Sequence, residues 1–155
     1  MGVEVNESAV KNAMGYGIQV FRSVKEVPDD YVDVIISNNA LEHTLHPLYE
    51  LTSLFNKLKE GGKIIFVVPC ESIKWSYDPN DIHHHLYSWS PSAIGNLFTE
   101  AGFSVLESRP YIHKWPPKYK IIAKYGGRSL FEVACRIYGR IERSWYQVRL
   151  VAEKI

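Results

Sequence analysis

Cysteine is scarce in this 155-residue chain, where only Cys70 and Cys135 occur. Two thiols exclude a disulfide scaffold and a cysteine-rich zinc site, and they make a reducing, cytoplasmic setting the default expectation. Long hydrophobic runs are missing too. The longest apolar runs, such as Ile64–Pro69, fall far short of the roughly 20 residues that span a bilayer. The first twenty residues carry Glu4 and Glu7 with no basic region ahead of an apolar stretch, so no secretory signal is expected. Net charge is almost absent at +1, while 46% of residues are hydrophobic, which excludes a disordered chain. What remains is one globular domain, long enough to bury a core.

The small total hides a polarity. Residues 1–108 hold 7 basic against 14 acidic side chains, and residues 109–155 hold 11 against 3. An acidic body with a basic tail can orient a protein toward an anionic partner, or the two halves can simply complement each other within one fold.

Strand and helix periods alternate along the chain. Asn6 suits the cap of a helix over about 7–16, with Ala9, Val10, Ala13 and Met14 on one face. Ile18–Phe21 reads as a strand, and Tyr31–Ser37 as a β-branched strand of the buried kind. Pro47 opens a helix with Leu48, Leu51, Phe55 and Leu58 on its apolar stripe, closed by Gly61 and Gly62 before a strand over Lys63–Pro69. That is a βαβ unit, which implies a parallel pair and a right-handed connection. Glu71–Tyr87 shows no period, and a loop of that length in a compact domain is usually functional or mobile. A helix started by Ser90-Pro91 and stopped by Gly102, a strand over Phe103–Ser108, a further helix and a last strand over Tyr146–Glu153 complete the chain. The alternation predicts an α/β domain with a mostly parallel sheet flanked by helices.

YVDVIISNNALEH at 31–43, a helix, and LKEGGKIIFVVP at 58–69 closely resemble class I S-adenosylmethionine-dependent methyltransferases. GVEVNESAVKNA at 2–13 and AGF at 101–103 after the SPSAI helix start are similar to further parts of the same family. The similarity runs from residue 2 to about 108 and again at the last strand. It implies a Rossmann-like fold with an antiparallel C-terminal strand, S-adenosylmethionine as cofactor, and methyl transfer to a small-molecule or glycan-type acceptor. The family's first strand and glycine-rich loop, expected about twenty residues before the strand-end acid, have no counterpart here. The expectation is thus a partial methyltransferase domain over 1–155, with residues 109–145 as a basic, aromatic insertion. The alternative is a non-catalytic relative acting through a partner. A strand missing from mid-sheet leaves edges that tend to pair, so a homodimer is also expected.

The resemblance assigns site residues one by one. Glu4, with Val5 beside it, matches the acid that holds the ribose hydroxyls, and a carboxylate at the C-terminal edge of a parallel strand faces the ligand crevice of open α/β sheets. The competing reading of Glu4 is a solvated loop acid. Asn38, Asn39 and Ala40 match the segment near the cofactor's methionine part, although asparagines also serve turns unaided. His43 of Leu41-Glu42-His43 either contacts the cofactor or orders its loop. Arg22 and Ser23 stand where relatives often place an acid against the adenine; Ser23 is kept as a cofactor contact, without the acid.

His83-His84-His85 invites a metal. Neighbouring side chains diverge, even with Asp78 and Asp81 close in sequence, so no metal ligand is assigned. A histidine on a loop over the pocket suits a general base toward a hydroxyl acceptor, and His85 is the first candidate, His84 the second. Finally, Ser129–Trp145 reads as an amphipathic helix, with Ser129 and Glu132 as a capping box. Leu130, Ala134, Ile137, Ile141 and Trp145 fall on one face, and Arg128, Glu132, Arg136, Arg140 and Arg143 mostly on the other. Preceded by Lys114, Lys118, Lys120 and Lys124, it suits either an anionic surface or a place on the sheet. Nucleic acid is not an expected partner, because no binding module accompanies the charge.

Overall fold

The computed structural model describes residues 1–72, 74–142 and 146–155. The β-branched run predicted as a buried strand forms β3 (Val32–Asn38). After it come α2 (Pro47–Lys57) and β4 (Leu58–Pro69). β3 and β4 pair in parallel, as the βαβ reading required. Pro47 sits at the start of α2, where its missing N–H has no helical partner to lose.

β4 is longer than the sequence implies. Leu58 already pairs with Val32, and the next pair in register is Val34 with Lys63, so residues between them bulge out of the ladder. Gly61 has φ +73° inside the bulge, a conformation costly for a side-chain-bearing residue. Lys154 closes it: its Nζ donates to Leu58 O at 2.9 Å, and its carbonyl accepts from Gly61 N at 2.9 Å. The two glycines therefore shape a strand bulge rather than stop a helix.

Beyond β4 the chain forms α3 (Pro91–Glu100), β5 (Ser104–Tyr111), α4 (Tyr119–Glu142) and β6 (Gln147–Glu153). The sheet order is β3-β4-β6-β5, with β6 antiparallel to both neighbours. β3, β4 and β5 thus share one direction, which matches the predicted parallel sheet with an antiparallel C-terminal strand. The core lies where α2 and α3 cover the sheet. Leu51, Ile94 and Phe98 from the helices meet Ile64, Phe66 and Val68 of β4 and Val148, Leu150 and Ala152 of β6. Alternate burial along β6 is the period-2 signature of a strand with one face in a core.

At the N-terminus, β1 (Gly2–Val3) and β2 (Val20–Phe21) enclose α1 (Glu7–Gly15) and make a separate two-stranded parallel sheet. Asn6 caps α1 as expected, its Oδ1 accepting from Ser8 N and Ala9 N. Among the described residues no strand joins the two sheets. β3 is consequently an edge: Ile35 packs on the core, while Val34 and Ile36, pointing the other way, are 52% and 75% exposed. No helix among the described residues is long and apolar enough to cross a membrane.

The last helix departs most from its sequence reading. α4 begins at Tyr119, ten residues before the predicted start, and consists of two helical pieces broken at Gly127 (φ 67°, ψ −179°). Glu132 does not complete a capping box with Ser129. Its carboxylate meets His113 Nε2 at 3.1 Å. Nor does the apolar stripe face inward: Leu130, Ile137 and Ile141 are all more than half exposed. The docked face is carried by Cys135 and Gly139, both buried, against the segment after β5. Lys114 N donates to Cys135 O at 3.2 Å, so the backbone of that segment passes close to the helix. Small residues permit this approach, and larger apolar ones on the opposite side are left outside. Arg143 and Trp145, placed on this helix by its periodicity, lie outside the described residues.

A Cβ at position 139 would stand 2.8 Å from Ile112 Cγ2 and 3.3 Å from Lys114 N. Gly139→Ala is expected to destabilise the chain by about 1–3 kcal/mol in chemical denaturation, the usual range for overpacking. In the wild type, burial shields the Cys135 thiol and pushes its pKa up, so a thiol reagent should label it only on unfolding. In Gly139→Ala, native-state labelling should accelerate. Rapid labelling of wild-type Cys135 would show that α4 does not dock through this face.

Candidate functional site

The C-terminal end of β4 gathers the candidate residues. Asn39 N donates to Val67 O at 2.9 Å, Cys70 N to Tyr146 O at 3.0 Å, and Trp89 N to Pro69 O at 3.0 Å. Three segments distant in sequence are thereby tied to one strand end, and the unpatterned loop after β4 is closed at its base. A second tie, Glu71 N to Ser88 Oγ at 2.7 Å, holds the two arms of that loop together. A third, Leu86 N to Glu42 O at 2.9 Å, stitches the loop to the 3₁₀ turn Leu41–His43.

These ties bring Glu42, His43, Glu71 and His85 together. One ligand-type atom from each of Glu42, His43 and His85 lies within 4.8 Å of the others. The rings of His43 and His85 meet edge to face, with centroids 5.1 Å apart. His85 Nδ1 stands 2.6 Å from Glu71 Oε1, and its side chain is 6% exposed. Glu42 is fully buried, and neither of its carboxylate oxygens has a hydrogen-bond partner. Burial pushes the Glu42 carboxyl above its usual range, a shift that its own backbone N–H and the neighbouring His43 and His85 only partly oppose.

The other predicted residues are distributed as follows. Asn39 adopts a left-handed backbone (φ 50°) and accepts from Gln147 Nε2 through Oδ1 at 3.2 Å. Asparagine tolerates that conformation better than most residues, so turn chemistry accounts for it at this position. Asn38 ends β3, and Ala40 precedes the 3₁₀ turn. Glu4 follows β1 directly; its Oε1 accepts from Val5 N and Asn6 N, both at 2.8 Å. Val5 itself is exposed. Ser23 caps the 3₁₀ turn Val24–Glu26 by accepting from Lys25 N at 3.2 Å, which gives its hydroxyl a structural task. His84 is exposed with φ 47°, on the tract that presents His85 inward but not itself in the cluster.

Sequence reasoning missed Glu42, Glu71 and Gln147. Glu42 sits in the Leu-Glu-His signature, but nothing in a linear reading reveals that an acid there is buried. Glu71 becomes visible only when the loop is closed back on itself. Beside the cluster runs an open apolar groove of about 680 Å³, lined by Leu45, Pro47, Leu48, Tyr49, Tyr87 and Trp89 among others. Tyr87 stacks on Trp89 at 5.4 Å, and its hydroxyl donates to Leu45 O at 3.2 Å. Residues 45–49 and 87–89 follow within a few positions of His43 and His85 in the sequence, although none of the cluster residues lines the groove.

Fit to the expected cofactor can be judged residue by residue. Glu4 fits: one carboxylate oxygen is fixed by two backbone N–H groups, and the second is engaged by no described residue, so it can accept from a ribose hydroxyl. The strand end at Asn38–Ala40 offers backbone and amide groups of the polar kind. Ser23 does not add to this set.

Comparison with known proteins bears on family and fold. The model of the methyltransferase domain family matches residues 2–108. A search of curated protein sequences returns no match. Among solved structures, the chain is similar to the [4+2]-cyclase SpnF, with a TM-score of 0.63 at 16% identity, covering 99% of this chain and 64% of that one. It is likewise similar to a SAM-dependent methyltransferase from Archaeoglobus fulgidus, with a TM-score of 0.63 at 19% identity, covering 99% and 75%. Geranyl diphosphate methyltransferase in complex with SAM gives a TM-score of 0.60 at 14% identity, covering 99% and 68%. The chain spans less than two thirds of the length of the first of these. At such identities the likeness concerns fold, and the cyclase shows that the fold hosts more than one chemistry. The family match spans more than half of the sequence, and the chain belongs to the methyltransferase domain family.

Proposed function

We propose that this chain takes part in transferring a methyl group from S-adenosylmethionine to a small-molecule or glycan-type acceptor. The observation that carries the reading is the family match over residues 2–108, joined to Glu4, whose carboxylate is braced at a strand end with one oxygen to spare. Glu4, with Val5 beside it, would hold the ribose, and Asn38–Ala40 the methionine part. The cofactor, when bound, supplies an electrophilic methyl carbon on its sulfonium.

The remaining work falls to the protein's own side chains. Methyl transfer needs the acceptor held in line with the sulfonium, a positioning task that can account for much of a rate enhancement. The groove beside the cluster suits an acceptor with an apolar or ring-bearing part, because Tyr87 and Trp89 offer stacked faces. A hydroxyl acceptor must also lose its proton. That task belongs to the Glu42, His43 and His85 cluster, where Glu71 holds His85 through Nδ1. His84, outside the cluster, serves the loop.

The test is transfer of labelled methyl from S-adenosylmethionine to a panel of hydroxylated aromatic and sugar acceptors. Glu4→Ala is expected to raise the KM for the cofactor at least tenfold with a small change in kcat, the pattern of lost binding in ground and transition states alike. His84→Ala should leave both constants near wild type. Unchanged cofactor KM in Glu4→Ala would remove Glu4 from the site.

The exposed stripe of α4 favours a second surface. Leu130, Val133, Ile137 and Ile141 stand out of the fold, and Lys118, Lys120, Lys124, Arg128, Arg136 and Arg140 are exposed on the same segment. Within the basic insertion over 109–145, an apolar stripe flanked by cations fits an anionic lipid surface. The chain should co-sediment with vesicles containing phosphatidylserine, less so as salt rises, and Ile137→Glu should weaken this by an order of magnitude. Equal binding to neutral vesicles would contradict the electrostatic part.

A further inference from the structure

A buried carboxylate with no partner is among the least favourable groups a fold can hold, and the usual resolution is a proton or a cation. Glu42 is in that position: fully buried, with neither Oε1 nor Oε2 hydrogen-bonded. The groups converging on it are imidazoles. Ligand atoms from Glu42, His43 and His85 lie within 4.8 Å of one another, yet neither oxygen of Glu42 is hydrogen-bonded to either ring. Ligands about 2.1 Å from a shared ion are at most about 4.2 Å apart, so small side-chain adjustments bring all three onto one centre.

The surroundings strengthen this reading. His85 engages Glu71 Oε1 through Nδ1 at 2.6 Å. A histidine whose outer nitrogen is held by a carboxylate is the common arrangement behind a metal ligand, because the pairing fixes the tautomer and raises ligand basicity. The stitch from Leu86 N to Glu42 O and the tie from Glu71 N to Ser88 Oγ hold the two halves of the cluster together through backbone. Glu42 and His85 are therefore set by the fold, and His43 completes the cluster from its exposed side.

We propose that Glu42, His43 and His85 bind one divalent first-row transition-metal ion, of which Zn²⁺ is the type, with Glu71 as the positioning residue for His85. One carboxylate and two imidazoles form a mixed oxygen and nitrogen set suited to such ions and leave at least one coordination position open. A hydroxyl bound there would release its proton to solvent water more readily, which is how the site would ready a hydroxyl acceptor. That consequence rests on the methyl-transfer reading; the metal site does not.

The experiment is titration of the chelator-treated 155-residue chain with Co²⁺ and then Zn²⁺, followed by calorimetry and by the visible absorption of bound Co²⁺. One ion per chain with micromolar or tighter affinity is expected, with Zn²⁺ displacing Co²⁺. Glu42→Gln and His43→Ala should each weaken binding at least 100-fold, and Glu71→Gln 10- to 100-fold. The double variant His83→Ala/His84→Ala should bind as wild type. His43 is exposed, so His43→Ala remains informative even if Glu42→Gln fails to fold. Metal-free Glu42→Gln should melt no lower than metal-free wild type, since an amide replaces an unpartnered carboxylate. Absence of stoichiometric uptake, unchanged affinity in His43→Ala, or binding that is lost with His83 and His84 would each overturn the proposal.

Discussion

The C-terminal end of β4 is the constraint on which the rest of the molecule depends. This strand is paired on both sides, by β3 and by β6, and its side chains Ile64, Phe66 and Val68 are the middle of the core. Each such side chain contributes about 1.5–3 kcal/mol by leaving water, so the strand end is a fixed point. The chain then uses that point. Asn39 and Trp89 donate to Val67 and Pro69, and Cys70 to Tyr146. A loop without internal periodicity is given a defined shape because both its ends are anchored to the same rigid residues. Functional groups on loops gain precision from a scaffold of this kind.

The same geometry sets a conflict between stability and function. Carrying Glu42 into the interior without a hydrogen bond runs against the general pairing of buried polar groups. Folded domains keep such groups mainly where a ligand or a reaction uses them. Here the unpartnered acid lies within reach of two histidines, one of them steadied by a second acid. The apolar groove that continues from the same two segments would place an acceptor against that cluster. Glu42, His43, Glu71 and His85 are therefore one structural unit, assembled where Glu71 and the segment from His85 to Trp89 close onto the turn at Leu41–His43.

Much of the fold was legible in the sequence because the signals were local. The β-branched run at 31–37, and Pro47 and Ser90-Pro91 at helix starts, each speak for themselves. The site was legible only in part. Asn6 and Asn39 announced a cap and a turn, and His85 could be singled out from its tract, but its partners could not. Glu42 and Glu71 are 29 positions apart, and their meeting depends on backbone ties that leave no periodic trace. The stripe of α4 misled for a related reason. Periodicity shows that a helix has an apolar face, but close packing at Cys135 and Gly139 decided which face docks, leaving the larger residues outside.

The most direct test of the account is calorimetric titration of the chain with S-adenosylhomocysteine, the demethylated form of the cofactor. The account predicts saturable binding at one site per chain with micromolar affinity, weakened at least tenfold by Glu4→Ala. The absence of heat at millimolar ligand would contradict it, and would leave a methyltransferase-family fold whose strand-end acid holds nothing.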